Sequence, residues 1–364
     1  MSESLTSSSI GKRQPRRSSL ELLRIICMIL IVAHHIGVHG HYGNMELSAL
    51  NRFVINILKS GVKLGVNVYM LISGYFLVNS SFKLKRLINT LALTLFYSVA
   101  IYFSFVFFVP GIGFDWNVLY VSVHIIDHNA YWFVTCYAAT VVLSPFINKL
   151  IHAMNKREHL ILIILLLVMQ AAFPFFGTYI AFSNVGWFIT LYVIAGYLRL
   201  YPGGVTTSKL ATGLSSLVLC LIVAVWDIAA VMTSIICLGA SVALFAFFNN
   251  LDIKTNFVIN NISRATFGVY LIHDNNLIRE VIWDDILRAP LHAAYDSFWL
   301  FSIVAVLVVY VACTVIDIIR RLLLDLISLG IKKCIHKSEK TETRVSAFSY
   351  YLFLDKSQFT SSSS

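Results

Sequence analysis

Arg24 and His35 lie eleven positions apart. At about 3.6 residues per turn that is about 3.06 turns, so one helix would carry both on the same face, about 16 Å apart along its axis. The pair suits group transfer. A neutral imidazole, with an ordinary pKa of about 6.5, can take the proton from an alcohol whose oxygen attacks a thioester. A guanidinium farther along the face can hold a phosphate or the pantetheine-linked end of a donor. His34 points about 100° away from this face, and His39 returns to it one turn beyond His35 if the helix continues. Arginine inside a membrane helix is costly unless it snorkels or faces a polar cavity, and both are open to Arg24.

A second constellation occupies residues 266–274, TFGVYLIHD, where His273 stands beside Asp274 in an apolar stretch followed by Asn275, Asn276, Arg279 and Glu280. The pair could orient or charge a catalytic histidine, bind an acceptor, or join two helices. Residues 67–75, NVYMLISGY, offer Asn67, Tyr69, Ser73 and Gly74; the small pair Ser73-Gly74 reads as a site of close helix approach. Trp132, Cys136, Tyr137 and Trp187 begin apolar stretches, as interfacial aromatic residues do. Phosphate-binding loops, a dinucleotide fingerprint, a GxSxG elbow and HExxH are absent. The six cysteines form no CxxC pair, so neither a disulfide framework nor structural zinc is signalled, and no metal is predicted.

Such residues need a scaffold, and the composition says which kind. Of 364 residues, 58% are hydrophobic and 13% charged, against about 25% charged in a soluble domain. Mean hydropathy is +0.78. The runs 160–170, 217–225 and 298–314 carry no charge. This chain cannot cover itself with polar surface, which excludes a soluble enzyme. Apolar segments at about 20–36, 61–79, 88–109, 131–150, 159–176, 186–200, 210–226, 228–249, 266–281 and 297–319 predict an all-α, polytopic membrane protein of about ten spans. The division near Trp226 and Asp227 is the weakest, since 210–249 also reads as one long helix.

With the N terminus inside, 23 of the 28 Lys and Arg fall in inner segments, and only Arg52, Lys59, Lys63, Arg279 and Arg288 in outer ones. Without residues 1–19 and 332–364 the division is still 13 to 5. The bias puts both termini in the cytoplasm. The net charge of +10 is therefore mainly a topology signal, not one for nucleic acid. Patches at 83–86 and 149–157 could also meet anionic lipid or a phosphate-bearing cofactor. Residues 1–19 read as a basic cytoplasmic lead-in, 20–320 as the membrane domain, and 321–364 as a cytoplasmic tail, amphipathic and then disordered. Seven of the eleven histidines fall at or beyond the outer ends of spans, His34, His35, His39, His41, His124, His128 and His292, and His273 falls within the ninth span.

The segments ELLR (21–24) with AHH (33–35), NVYMLISGY (67–75), WFVTCY (132–137) with LSPFIN (143–148), and GVYLIH (268–273) resemble, in order, the acyltransferase-3 family of integral membrane acyltransferases. Together they span about residues 20–320. The resemblance implies transfer of an acyl group, usually acetyl, from cytoplasmic acetyl-CoA to a hydroxyl of a cell-surface glycan or its lipid-linked precursor. It makes His35 the catalytic base, with His34 as second choice, and Arg24 its partner. The doubled histidine resembles the branch associated with Gram-positive capsule O-acetylation, within polysaccharide biosynthesis. Where the family often has Arg-x-x-Arg on the inner side, this chain has Lys83-Leu-Lys85-Arg86, which weakens bidentate contact at the first position.

These readings predict a membrane-bound O-acyltransferase of the cytoplasmic membrane. Acetyl-CoA would dock at Arg24, Lys83, Lys85 and Arg86, with His273, Asp274 and Trp132 on the acceptor side. Expected partners are membrane lipid, acyl-CoA and a sugar or lipid-linked glycan; a homo-oligomer is also open. The alternative is a transporter or flippase using the same Arg and His as a binding and proton-coupling pair.

Overall fold

The computed structural model describes residues 16–43, 45–126, 131–172, 183–202, 208–225 and 235–358, with side chains to residue 330 except at 62, 171, 172 and 183. The described residues are helical, with no strand. In chain order the helices are α1 (Ser18–His39), α2 (Ala49–Leu77), α3 (Leu84–Phe108), α4 (Trp116–Val123), α5 (Trp132–Ala153), α6 (Lys156–Ala172), α7 (Ser183–Leu200), α8 (Lys209–Val225), α9 (Ile235–Asn250), α10 (Phe257–Ser263), α11 (Thr266–His273), α12 (Ala289–Ala293) and α13 (Phe298–Gln358); a π-helical turn, Val281–Ile286, precedes α12. The chain divides into two units, Met1–Thr314 and Val315–Ser364.

Within the first unit α1 and α2 form the central pair, and α1 also touches α9, α10 and α11. Close approach explains the pairing. A Cβ on Gly61 would stand 2.6 Å from the Leu30 carbonyl oxygen, and one on Gly65 would stand 2.9 Å from the Cys27 carbonyl oxygen. Two glycines four apart thus let the two backbones meet, as small residues do between membrane helices. The expectation for Ser73-Gly74 holds at Gly74, where a Cβ would meet Ala195 of α7 at 2.8 Å.

Two side-chain amides, Asn67 buried and Asn148 half-buried, tie the bundle across the chain. Trp187 Nε1 donates to Asn67 Oδ1 at 2.8 Å. Asn148 donates to the Leu77 carbonyl at 3.2 Å and accepts from the Tyr192 hydroxyl at 2.9 Å. Pro145 lies inside α5 and cannot donate to Val141; the Ser144 hydroxyl donates to that carbonyl instead, at 2.7 Å. The LSPFIN segment is therefore a structural joint.

Five helices among the described residues are long and apolar enough to cross a membrane: α1, α2, α3, α5 and the Phe298–Gly330 part of α13. Three more, α7, α8 and α9, are apolar but shorter. This is a polytopic membrane architecture, with five such helices where the sequence leads one to expect ten. The clearest departure is the ninth expected span, 266–281. Helix α11 stops at His273, because the Asn275 side chain accepts from the Leu277 amide at 3.0 Å and so competes with helical bonding. Large apolar side chains such as Leu300, Ile303, Val304, Leu307 and Val311 remain exposed on α13, the face such a helix turns to lipid.

The second unit is the distal part of α13, where Asp317 bonds Arg320 at 2.8 Å and Arg321 at 3.1 Å. The backbone is helical to Gln358, and no proline interrupts it. The division near Trp226 and Asp227, the loop residue His128 and most of the basic lead-in 1–19 lie outside the described residues.

Candidate active site

Helix α1 is continuous from Ser18 to His39, so Arg24, His35 and His39 stand on one element. Two chambers open beside it. The first has about 290 Å³ of free room and is lined by three arginines, Arg16, Arg24 and Arg264, with Ser73, Thr90, Tyr137 and Thr266 among its polar neighbours. The second has about 30 Å³ and is lined by His35 and Asp274 together with Met28, Ile31, Val66, Trp132 and Tyr270. Tyr69, Phe133 and Phe267 line both, so these rings form the neck between them. The Tyr69 hydroxyl donates to Thr266 Oγ1, which donates in turn to the Ser263 carbonyl at 2.8 Å.

Arg24 faces the first chamber rather than only the bilayer surface. Glu21 holds it, with Nη1 3.1 Å from the carboxylate, and Arg16 approaches the same carboxylate at 3.6 Å. The Ser263 hydroxyl also donates to Glu21. One carboxylate among three guanidinium groups leaves the chamber electropositive, suited to phosphate oxygens.

At the far end of α1 the hydrogen bonds fix a tautomer. His273 Nδ1 lies 2.6 Å from the Val269 carbonyl oxygen, which can only accept, so Nδ1 carries the proton. Neutral His273 then offers Nε2 as an acceptor, and His35 Nδ1 donates to it at 2.8 Å. His35 Nε2 is left as the bare lone pair, 3.4 Å from Asp274 Oδ1. A proton taken up there would create an imidazolium facing a carboxylate. His35 is 7% exposed and His273 fully buried, so neither bond is diluted by water.

The structure brings together Arg24, His35, His273, Asp274 and Trp132 around these two chambers. It does not bring His34 there: His34 Nδ1 bonds the Lys59 carbonyl on α2 at 2.7 Å. Lys83, Lys85 and Arg86 are exposed at the start of α3 and line neither chamber, although Thr90, one turn on, lines the first. The cations that line the first chamber beside Arg24 are Arg264 and Arg16. Arg264 counts there only as an inner cation; its place two residues before the TFGVYLIHD constellation is the signal that marks it. The neck residues Phe133 and Phe267 read as ordinary apolar positions, with no signal of their own.

Ligand atoms of His35, His39 and Asp274 lie within 4.8 Å of one another, so these three could hold a cation. Arg279 Nη1, 4.0 Å from Asp274 Oδ1, competes for that carboxylate.

A family model described as an acyltransferase domain matches residues 17–317. No curated protein and no solved structure matches the chain.

Proposed function

The chain belongs to the acyltransferase-3 family, a family of membrane-embedded acyltransferases, and on that footing we propose that it carries an acetyl group from cytoplasmic acetyl-CoA to a hydroxyl of a cell-surface glycan or its lipid-linked precursor. One observation carries the reading: an arginine-lined chamber and a histidine-lined chamber share the walls Tyr69, Phe133 and Phe267 beside a single helix. The phosphates of the donor bind Arg16, Arg24 and Arg264, and its flexible pantetheine arm passes the aromatic neck. The thioester then lies beside His35. The acceptor reaches the same point from the opposite side, past Asp274 and Trp132.

The step balances on His35 alone. Nε2 takes the acceptor hydroxyl proton as the oxygen attacks the thioester carbonyl; the carbon–sulfur bond breaks, and the departing thiolate recovers the proton from the imidazolium. Asp274 stabilises that imidazolium while it lasts. His273 keeps Nε2 unprotonated at the outset. The bundle excludes water that would otherwise hydrolyse the thioester. The cation asymmetry supports a cytoplasmic N terminus, which puts the arginine chamber on the donor side.

The test uses purified protein in vesicles with radiolabelled acetyl-CoA and glycan acceptors. His35→Ala is expected to lower acyl transfer by roughly 10²–10⁴-fold, the usual worth of a general base. Undiminished transfer in that variant would remove His35 from the chemistry. Glycan crossing the vesicle wall without acylation would make the protein a transporter.

A further inference from the structure

We propose that Ile31 and Val66 set the length of the acyl group, admitting two carbons and turning away longer chains. The inference rests on the acyl-transfer reading and adds to it the residues that choose among acyl donors.

Room is the first argument. The histidine chamber has about 30 Å³ against about 290 Å³ for the arginine chamber. A water-sized group needs roughly 10–15 Å³ on this measure. The smaller chamber therefore takes two to three such groups, which are the carbonyl and the methyl of an acetyl thioester with the acceptor oxygen beside them. A third or fourth carbon has to displace a wall.

The second argument is which walls can yield. Ile31, Val66 and Met28 are all buried. Met28 is a flexible thioether that adapts to its surroundings. Ile31 and Val66 are β-branched and held at χ1 by their own helices. Ile31 is also backed by a glycine: its Cγ1 lies 2.9 Å from where a Cβ of Gly65 would be, so it packs directly on the α2 backbone and has no space to retreat. The remaining lining is His35, Asp274 and the rings Tyr69, Trp132, Phe133, Phe267 and Tyr270.

An apolar pocket discriminates one methylene by about 10–200-fold. Acetyl-, propionyl- and butyryl-CoA should accordingly give kcat/KM values that fall by at least about tenfold per added carbon with the native chain. Ile31→Ala and, separately, Val66→Ala should each raise the propionyl-to-acetyl ratio by about tenfold or more. The inhibition constant of free CoA, which reports on the arginine chamber, should stay unchanged. Ile31→Phe should depress acetyl transfer while sparing CoA binding. Should one truncation fail to fold, the other truncation and the filling variant give the answer. Equal use of all three donors by the native protein would overturn the gauge and leave acyl transfer standing. So would an unaltered preference in the well-folded truncated variants. No consumption of any acyl-CoA would overturn both.

Discussion

His35 owes its proposed chemistry to a hydrogen bond it makes with another histidine, and that bond is where the site is most exposed to test. With His273 Nδ1 committed to the Val269 carbonyl, Nε2 is the acceptor that orders His35. His273→Ala releases His35 to either tautomer. The expected result is a kcat lower by about tenfold or more, within the roughly 10²–10⁴-fold worth of the base itself, with KM for acetyl-CoA unchanged. A rise in KM alone would make His273 a binding residue. The arginines predict the opposite division. A charge-assisted hydrogen bond contributes roughly 1.5–3 kcal/mol, so Arg264→Ala should raise KM for acetyl-CoA by about 10–150-fold. Lys83→Ala, at an exposed position outside both chambers, should leave KM within about twofold; the reverse order would return the donor to the 83–86 patch. A chelator is expected to leave turnover unchanged, because a cation on His35, His39 and Asp274 would occupy the base. Metal-dependent turnover would refute that role for Nε2.

Helix α1 carries both ends of the site, so its seating on α2 governs the alignment of the chambers. Gly61 and Gly65 make that seating possible, and the nearest atoms to an added Cβ at either position include backbone carbonyl oxygens that cannot swing aside. Gly61→Ala should destabilise the protein by about 1–3 kcal/mol, the usual cost of overpacking. The check is a lowered melting temperature in detergent, accompanied by loss of acetyl transfer in protein that remains folded. An unaltered melting curve would mean that α1 can slide without cost. Helix α11 shows the converse case, an element cut short by polar side chains. Its end at His273 sets Asp274 at the edge of the histidine chamber instead of on the face of a continuing helix.

At the scale of the whole molecule, the cation asymmetry makes a directional prediction. In a background lacking native cysteines, a cysteine placed at Lys85 should be labelled by a membrane-impermeant reagent only from the cytoplasmic side, and one placed at Trp116 only from the other. Labelling both from one side would invert or break the proposed topology. Much of this was legible in the chain. Scarce charge with long apolar runs requires a membrane solvent, because no fold can cover that composition with polar surface. The eleven-residue spacing fixes Arg24 and His35 on one helix face, since helical phase is a local property. Other features were not legible. Glycines four apart say that helices approach, not which ones; the partner of α1 emerged only when the Leu30 and Cys27 carbonyls met Gly61 and Gly65. The ninth expected span ended early because Asn275 bonds its own backbone locally. Arg264 joined Arg24 in lining the larger chamber, which the exposed 83–86 patch does not line, and His273 became the partner of His35 across 238 residues of chain. Sequence sets what a residue can do and which neighbours share its helix. Tertiary packing alone decides which distant side chains face one cavity, because contacts between helices depend on shape and depth that no local pattern encodes.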